Sequence, residues 1–265
     1  GVASHSAGSV TIEALKTDIA AGTGDRADSY EASATSGAGG SKIGIAGSLA
    51  LNLIDTESSA RIAGGATVAV ASGGAVSLAA DNRSGVKASA VPTEDGGASG
   101  GTVGVGVSAA INIVANRSIA TIENNASVTG AGELSLRANG AFTTKAEAKA
   151  GSKGGVSITP ALGLNLASST TTARLGLGSM LQAGSVSLAA VQTTVTTTTA
   201  SAKAAGGNVA IGASLALALV NDEVIATTAR DITSTGDVSF SASGSSSGTL
   251  TAEATASGAK GADNA

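Results

Sequence analysis

The sequence predicts an all-β fold, specifically a repetitive β-solenoid of parallel stacked rungs with about 52–60 residues per repeat. Three observations lead there. A segment that opens on Gly-Gly and then alternates branched aliphatics with very small residues occurs four times. It reads GGSKIGIAGSLALNLIDTESSARI from Gly39, GGTVGVGVSAAINIVANRSIATI from Gly100, GGVSITPALGLNLASSTTTARL from Gly154 and GGNVAIGASLALALVNDEVIATT from Gly206. Within it the spacing is constant: Asn52, Asn112, Asn165 and Ala218 each stand eight residues before Ala60, Ala120, Ala173 and Ala226. A Gly-x-[Val/Leu]-Ser-[Leu/Phe] signature then follows at Gly74–Leu78, Gly132–Leu136, Gly184–Leu188 and Gly236–Phe240, so that Ser77, Ser135, Ser187 and Ser239 lie 58, 52 and 52 residues apart.

Length differences between copies fall in two places, the turn between the halves and the return to the next Gly-Gly, which marks those as edge loops and the invariant stretches as paired ladders. Residues 1–38 form a partial first repeat, in which Gly8-Ser-Val-Thr-Ile12 carries the second-half signature. Repeat 1 follows at 39–99, repeat 2 at 100–153, repeat 3 at 154–205, and repeat 4 at 206–265 with the start of a truncated next copy; together they make one continuous repeat domain. The C-terminal ASGAKGADNA matches Ser201–Ala210, so another aliphatic strand is expected beyond Ala265.

Each first half has the period of a strand. Val103, Val105, Val107, Ala109, Ile111 and Ile113 share one face, and Gly104, Gly106, Ser108, Ala110 and Asn112 the other. The same holds for Ile43, Ile45, Leu49, Leu51 and Leu53 against Gly44, Ala46, Ser48, Ala50 and Asn52. The large face is expected to point into a shared interior, with the small face allowing close approach from behind. Pro160 predicts a bulge or break in the third copy. Second halves end in alternating alanine, with Ala146, Ala148 and Ala150 predicted inward and Lys145, Glu147 and Lys149 outward. One repeat cannot bury its aliphatic rows alone, whereas stacked copies join them into one core. An extended sheet of long antiparallel hairpins turning at the Gly-Gly pairs is the alternative architecture.

Composition narrows the functional classes. Aromatics make up 1% of the chain and Gly contributes 38 residues, so a core must be built in thin layers of Val, Ile, Leu and Ala. Fifteen basic residues and a net charge of −4 provide no footprint for nucleic acid, and bases would find almost nothing to stack on. The absence of cysteine excludes disulfide scaffolds and thiolate metal sites. No apolar run approaches the roughly 20 residues of a membrane-spanning helix, so no membrane insertion is expected.

Candidate chemistry is sparse, and no enzyme is expected. His5 is the only histidine, which removes a Ser-His-Asp triad. Asp55, Glu123, Asp222, Asp231 and Asp237 read as scattered loop carboxylates, and Glu94 with Asp95 sits in a turn cluster rather than a cleft. No cofactor is expected; Asp25, Asp28 and Glu31 come nearest to a weak calcium site, against the reading of a solvated loop. The run QTTVTTTT from Gln192 to Thr199 reads as a Thr-rich exposed strand, with a water-ordering face as the other reading. Asn52, Asn112 and Asn165 are the structural candidates: stacked in register, their amides form a hydrogen-bonded ladder, and unstacked they are three separate exposed side chains.

Gly104–Ile122 followed by the turn and Gly-x-Val-Ser-Leu-x-Ala, as at Gly184–Ala190, resembles the repeat region of giant bacterial surface adhesins, the filamentous haemagglutinin-like exoproteins and large autotransporter passengers. The resemblance runs from about Gly8 onward, although the repeat is longer than one rung of filamentous haemagglutinin. It implies an extracellular or bacterial cell-surface location and a stalk or filament segment that supports adhesion by projecting other domains, with partners limited to self-stacking repeats and a host or cell-surface glycan or protein. The second functional reading is an adhesive module that binds such a glycan or protein through the variable loops Pro92–Gly97 and Gly22–Ser29.

Overall fold

Backbone hydrogen bonds in this chain run from copy to copy. A computed structural model describes residues 4–16, 27–92 and 97–258. Its strands are β1 (Ser4–Ala7), β2 (Val10–Ala14), β3 (Asp28–Ser36), β4 (Ala38–Gly40), β5 (Ile43–Ile62), β6 (Thr67–Pro92), β7 (Ala98–Gly100), β8 (Val103–Ile122), β9 (Ser127–Leu175), β10 (Leu181–Thr228), β11 (Ile232–Ser234) and β12 (Val238–Ser257). No helix occurs among the described residues. All strand pairings among them are parallel, which rules out the sheet of antiparallel hairpins.

Each copy lies directly on its predecessor. Ile43 pairs with Val103, Val103 with Val156, and Val156 with Val209, and these first halves form layer A. Second halves form layer B, where Val10 pairs with Val76, Val76 with Leu134, Leu134 with Val186 and Val186 with Val238. In β9 and β10, 49 and 48 residues long, a second half continues around the edge into the next first half. The two layers run in opposite directions within a copy, since Asn52 of layer A donates to the Lys87 carbonyl of layer B while Thr56 accepts from Asn82. The result is a flattened β-solenoid not closed into a barrel.

Which face of layer A looks inward is opposite to expectation. Gly44, Ala46, Ser48, Ala50 and Asn52 are buried, and Ile43, Ile45, Leu49, Leu51 and Leu53 are exposed. The reason lies in strand parity and in the space between the layers. No bulge interrupts β5, so the inward set continues without a phase change to Ala60 and Ile62, which pack with Val68, Val76 and Leu78 in the larger core cluster. At the other end the layers close on alanine: Ala50, Ala110 and Ala161 meet Ala88, Ala90, Ala146, Ala148 and Ala200. A Cβ on Gly44 would lie 2.1 Å from the Ser99 carbonyl oxygen, and one on Gly104 2.2 Å from that of Lys153. The interior is therefore a wedge, thick at the turn between halves and too thin for leucine at the return.

Two further expectations change. Pro160 leaves β9 continuous: Val105–Ile158 and Ser108–Ala161 keep the same register on either side of it, and Ala213 still pairs with Pro160 on the next copy. Ladder pairs are lost only toward β8, opposite Thr159 and Pro160, so no residue is inserted and no bulge forms. The Thr run is split by strand alternation, with Thr194, Thr196 and Thr198 buried and Thr193 outside, so it presents no flat exposed row. The alternating alanines are inward as predicted in β9 and β10, where Ala146, Ala148, Ala200 and Ala202 are fully buried. Their equivalents Ala252, Ala254 and Ala256 in β12 are exposed, because among the described residues β12 has a strand neighbour on one side only.

Turns between the halves require one left-handed residue where they are tightest. Gly65 adopts φ 75° in the first complete copy and Asn125 φ 62° in the second, residue types that tolerate this region. This explains how Gly-Gly and Asn-Asn occupy the same turn.

Candidate functional site

Stacking places the three candidate asparagines in one interior column. Asn52 Nδ2 donates to Asn112 Oδ1 at 2.9 Å, and Asn112 Nδ2 donates to Asn165 Oδ1 at 2.7 Å. Each amide spends its second N–H on the facing layer, at the carbonyls of Lys87, Lys145 and Thr197 respectively. The column ends at Asn165, which donates to Thr198 Oγ1 at 2.8 Å because Ala218 offers no acceptor in the next copy. Asn112 and Asn165 are fully buried, so these bonds replace water completely.

Identity of side chain from copy to copy is what satisfies this column. Four residues further along, Thr56, Asn116, Ser169 and Asp222 also stack, but they differ in length and in donor capacity. Thr56 donates to Asn116 Oδ1 at 2.9 Å and Asp222 Oδ1 accepts from Gln192 and Thr194, each at 3.1 Å. Asn116 Nδ2, Ser169 Oγ and the facing Asn82 Oδ1 find no protein partner. A mixed column thus leaves buried groups orphaned where a repeated amide does not.

Arg230 was not singled out in the sequence, and it holds the turn edge together. It is 7% exposed, has no carboxylate partner among the described residues, and donates to the carbonyls of Gly176 at 2.6 Å, Ala126 at 2.8 Å, Glu123 at 3.2 Å and Leu177 at 3.3 Å. These carbonyls belong to the between-half turns of the second and third copies, so a single planar fork from the fourth ties three turns together. Burial pushes the Arg230 pKa down from the usual arginine value, because the surrounding dipoles replace water without supplying a counter-charge. Equivalent positions in the other copies are Gly64, Asn124 and Leu177, so no repeated arginine signals the role.

The two outer faces differ in chemistry. Layer B is mainly polar outside, with Arg83, Lys87, Lys145, Glu147 and Lys149 on its surface beside the exposed Val191 and Val195. Layer A is aliphatic from Ile43 to Leu53 and charged beyond, where Arg117 binds Asp55 at 2.7 Å and Glu57 at 3.1 Å, and Arg61 binds Glu57 at 3.2 Å and Glu123 at 3.5 Å. Asp55 and Asp222 lie in strands rather than loops.

On layer B, Glu147 lies between Lys149 at 2.5 Å and Lys145 at 3.2 Å. The hydrogen bond from Lys149, aided by that from Lys145, holds its carboxyl below the usual carboxylate value against the opposing effect of burial. A depressed carboxyl contributes stability above its unfolded pKa, and the contribution is lost as pH falls through the folded value. Wild type should therefore exceed Glu147→Gln in stability near neutral pH by no more than about 1 kcal/mol, the ceiling for a surface pair. Thermal melts taken downward through the acid range should see that difference close; a pH-independent difference would contradict the assignment.

The remaining candidates do not assemble. Asp28 and Glu31 point to opposite faces of β3, Asp28 bonded to Lys16 and Tyr30 and Glu31 to Lys87 at 2.7 Å. Asp25, Glu94 and Asp95 lie outside the described residues, as do most of the loops Gly22–Ser29 and Pro92–Gly97. His5 is exposed on β1 beside Val68. Among the described residues no group of His, Cys, Asp and Glu is arranged to hold a metal ion.

Compared with protein families, with curated proteins and with solved structures, the chain matches none.

Proposed function

We propose that this chain is a structural segment of a secreted bacterial cell-surface protein, a stalk or filament section that supports adhesion by projecting other domains. The observation that carries the reading is the in-register parallel stacking of successive copies, with Asn52 over Asn112 and Asn112 over Asn165. Every added copy lengthens such a stack by one strand spacing, about 4.8 Å, and presents the same two edges for the next copy. The proposed role is mechanical rather than enzymatic: backbone ladders between copies resist bending, and the amide column and the Arg230 fork hold neighbouring copies in register. The bacterial and cell-surface parts of the proposal follow the resemblance of Gly104–Ile122 and Gly184–Ala190 to surface-adhesin repeats.

The test is dimensional. Tandem arrays of two, three and four times the segment 100–205, which holds two copies, should lengthen in small-angle scattering by about 10 Å per added segment at constant cross-section. Growth of the cross-section, or a chain-like scattering profile, would reject the reading.

A further inference from the structure

The aliphatic face of layer A is the largest feature that the stacking leaves unexplained. Leu53 is 76% exposed, Leu219 68% and Ile45 67%, although residues of this kind are usually buried. They stand in columns across four copies, including Leu53–Ile113–Leu166–Leu219, which lines a shallow groove of about 590 Å³. An apolar face this continuous is rare on an isolated soluble surface.

We infer that this face seats a second copy of the chain, packed face to face about a two-fold axis parallel to the stacking direction. Three observations favour this occupant. Charge comes first: at the turn side of the face in the first two copies, Asp55, Glu57, Arg61, Arg117 and Glu123 are already paired with one another. On that side they leave no single-sign patch to draw a charged partner, and they would form part of the polar rim of an apolar interface.

The second observation is self-complementarity. An axis over the inward-pointing column Ser48, Ser108, Ala161 and Ser214 brings each copy against its own equivalent with the strand reversed. Position 47 then faces position 49, and in every copy one of the two is compact and the other bulkier: Gly47 with Leu49, Val107 with Ala109, Pro160 with Leu162, Ala213 with Leu215.

Area is the third. Eleven residues of strand by four rungs cover roughly 33 Å by 19 Å, or about 600 Å² per partner. That approaches the roughly 800 Å² per partner of an ordinary specific interface, so a reversible dimer in the micromolar range is expected. The inference does not depend on the stalk role, since a rigid spacer and a spacer that pairs laterally stack alike.

Sedimentation equilibrium of the 265-residue chain from about 1 to 200 µM tests it. Wild type should fit a monomer–dimer equilibrium, and the double variant Leu51→Glu, Leu217→Glu should remain monomeric with unchanged far-UV circular dichroism and melting temperature. Wild type that stays monomeric overturns the inference, as does a folded variant that dimerises equally well. A second measurement covers misfolding of that variant. The chain has no cysteine and a Cβ on Gly47 would meet no atom within 4 Å, so Gly47→Cys adds one tolerated thiol at the proposed axis. A short bismaleimide should join two such chains, while the same reagent should leave Thr193→Cys, on the outer face of layer B, monomeric. Equal cross-linking at both positions overturns the inference, and so does binding of a still-monomeric chain to phosphatidylcholine vesicles.

Discussion

Asn112→Ala is expected to lower the stability of the chain by about 3 kcal/mol, because it removes three hydrogen bonds at a fully buried site. Alanine leaves Asn165 Oδ1 and the Lys145 carbonyl without this donor and takes the acceptor from one N–H of Asn52. An acceptor stranded in a dry interior carries its whole desolvation penalty, roughly 1–3 kcal/mol, whereas the net value of an intact bond is nearer 1 kcal/mol. Asn52→Ala should cost less, about 1–2 kcal/mol, since Asn52 makes two of these bonds rather than three and is 7% exposed. Urea denaturation of both variants checks the ordering. A double-mutant cycle between Asn112 and Asn165 should further return a coupling near 1 kcal/mol or more. Additive losses would mean that the amides act separately and not as a ladder.

Arg230→Met should cost a similar amount, about 2–4 kcal/mol, through a different mechanism. Methionine fills much of the aliphatic volume but donates to none of the four carbonyls that the guanidinium serves. Arg230→Lys separates geometry from charge. An ammonium is a point donor that cannot reach four carbonyls in two turns at once, so lysine should recover less than half of the loss. The damage should also be local, with hydrogen exchange accelerated at the between-half turns near Asn125 and Gly176 while the ladder around Asn112 stays protected. Full rescue by lysine would show that charge, rather than the planar fork, matters at this edge.

Much of the architecture was legible because a repeat prints its geometry many times. The constant eight residues from Asn52 to Ala60, from Asn112 to Ala120 and from Asn165 to Ala173 specify a ladder without insertions, and these residues pair at those offsets. The asparagine column could be located for the same reason. Arg230 could not, because it occurs once and its partners lie 53 to 107 residues earlier in turns of other composition. Pro160 misled in the opposite direction: a missing N–H removes ladder bonds on one side, and a strand held by a full ladder on its other side absorbs that loss without shifting register.

The face of layer A marks the boundary between what the chain states and what its folding decides. Period-two alternation separates Ile43, Ile45, Leu49, Leu51 and Leu53 from Gly44, Ala46, Ser48, Ala50 and Asn52, and by itself the sequence determines that these are two faces of one strand in a stack of copies. Alternation does not say which face is inside when one is aliphatic and the other is small and neutral. That choice belongs to the opposite layer. Ala88 and Ala90 bring it close, the glycines at 44 and 104 admit its backbone, and Ile62, packed against Val76 and Leu78 eighteen residues along the same unbroken strand from Gly44, fixes the parity of every residue before it. Leucine is outside because the space within is too thin to hold it, and that width exists only once both layers are in place.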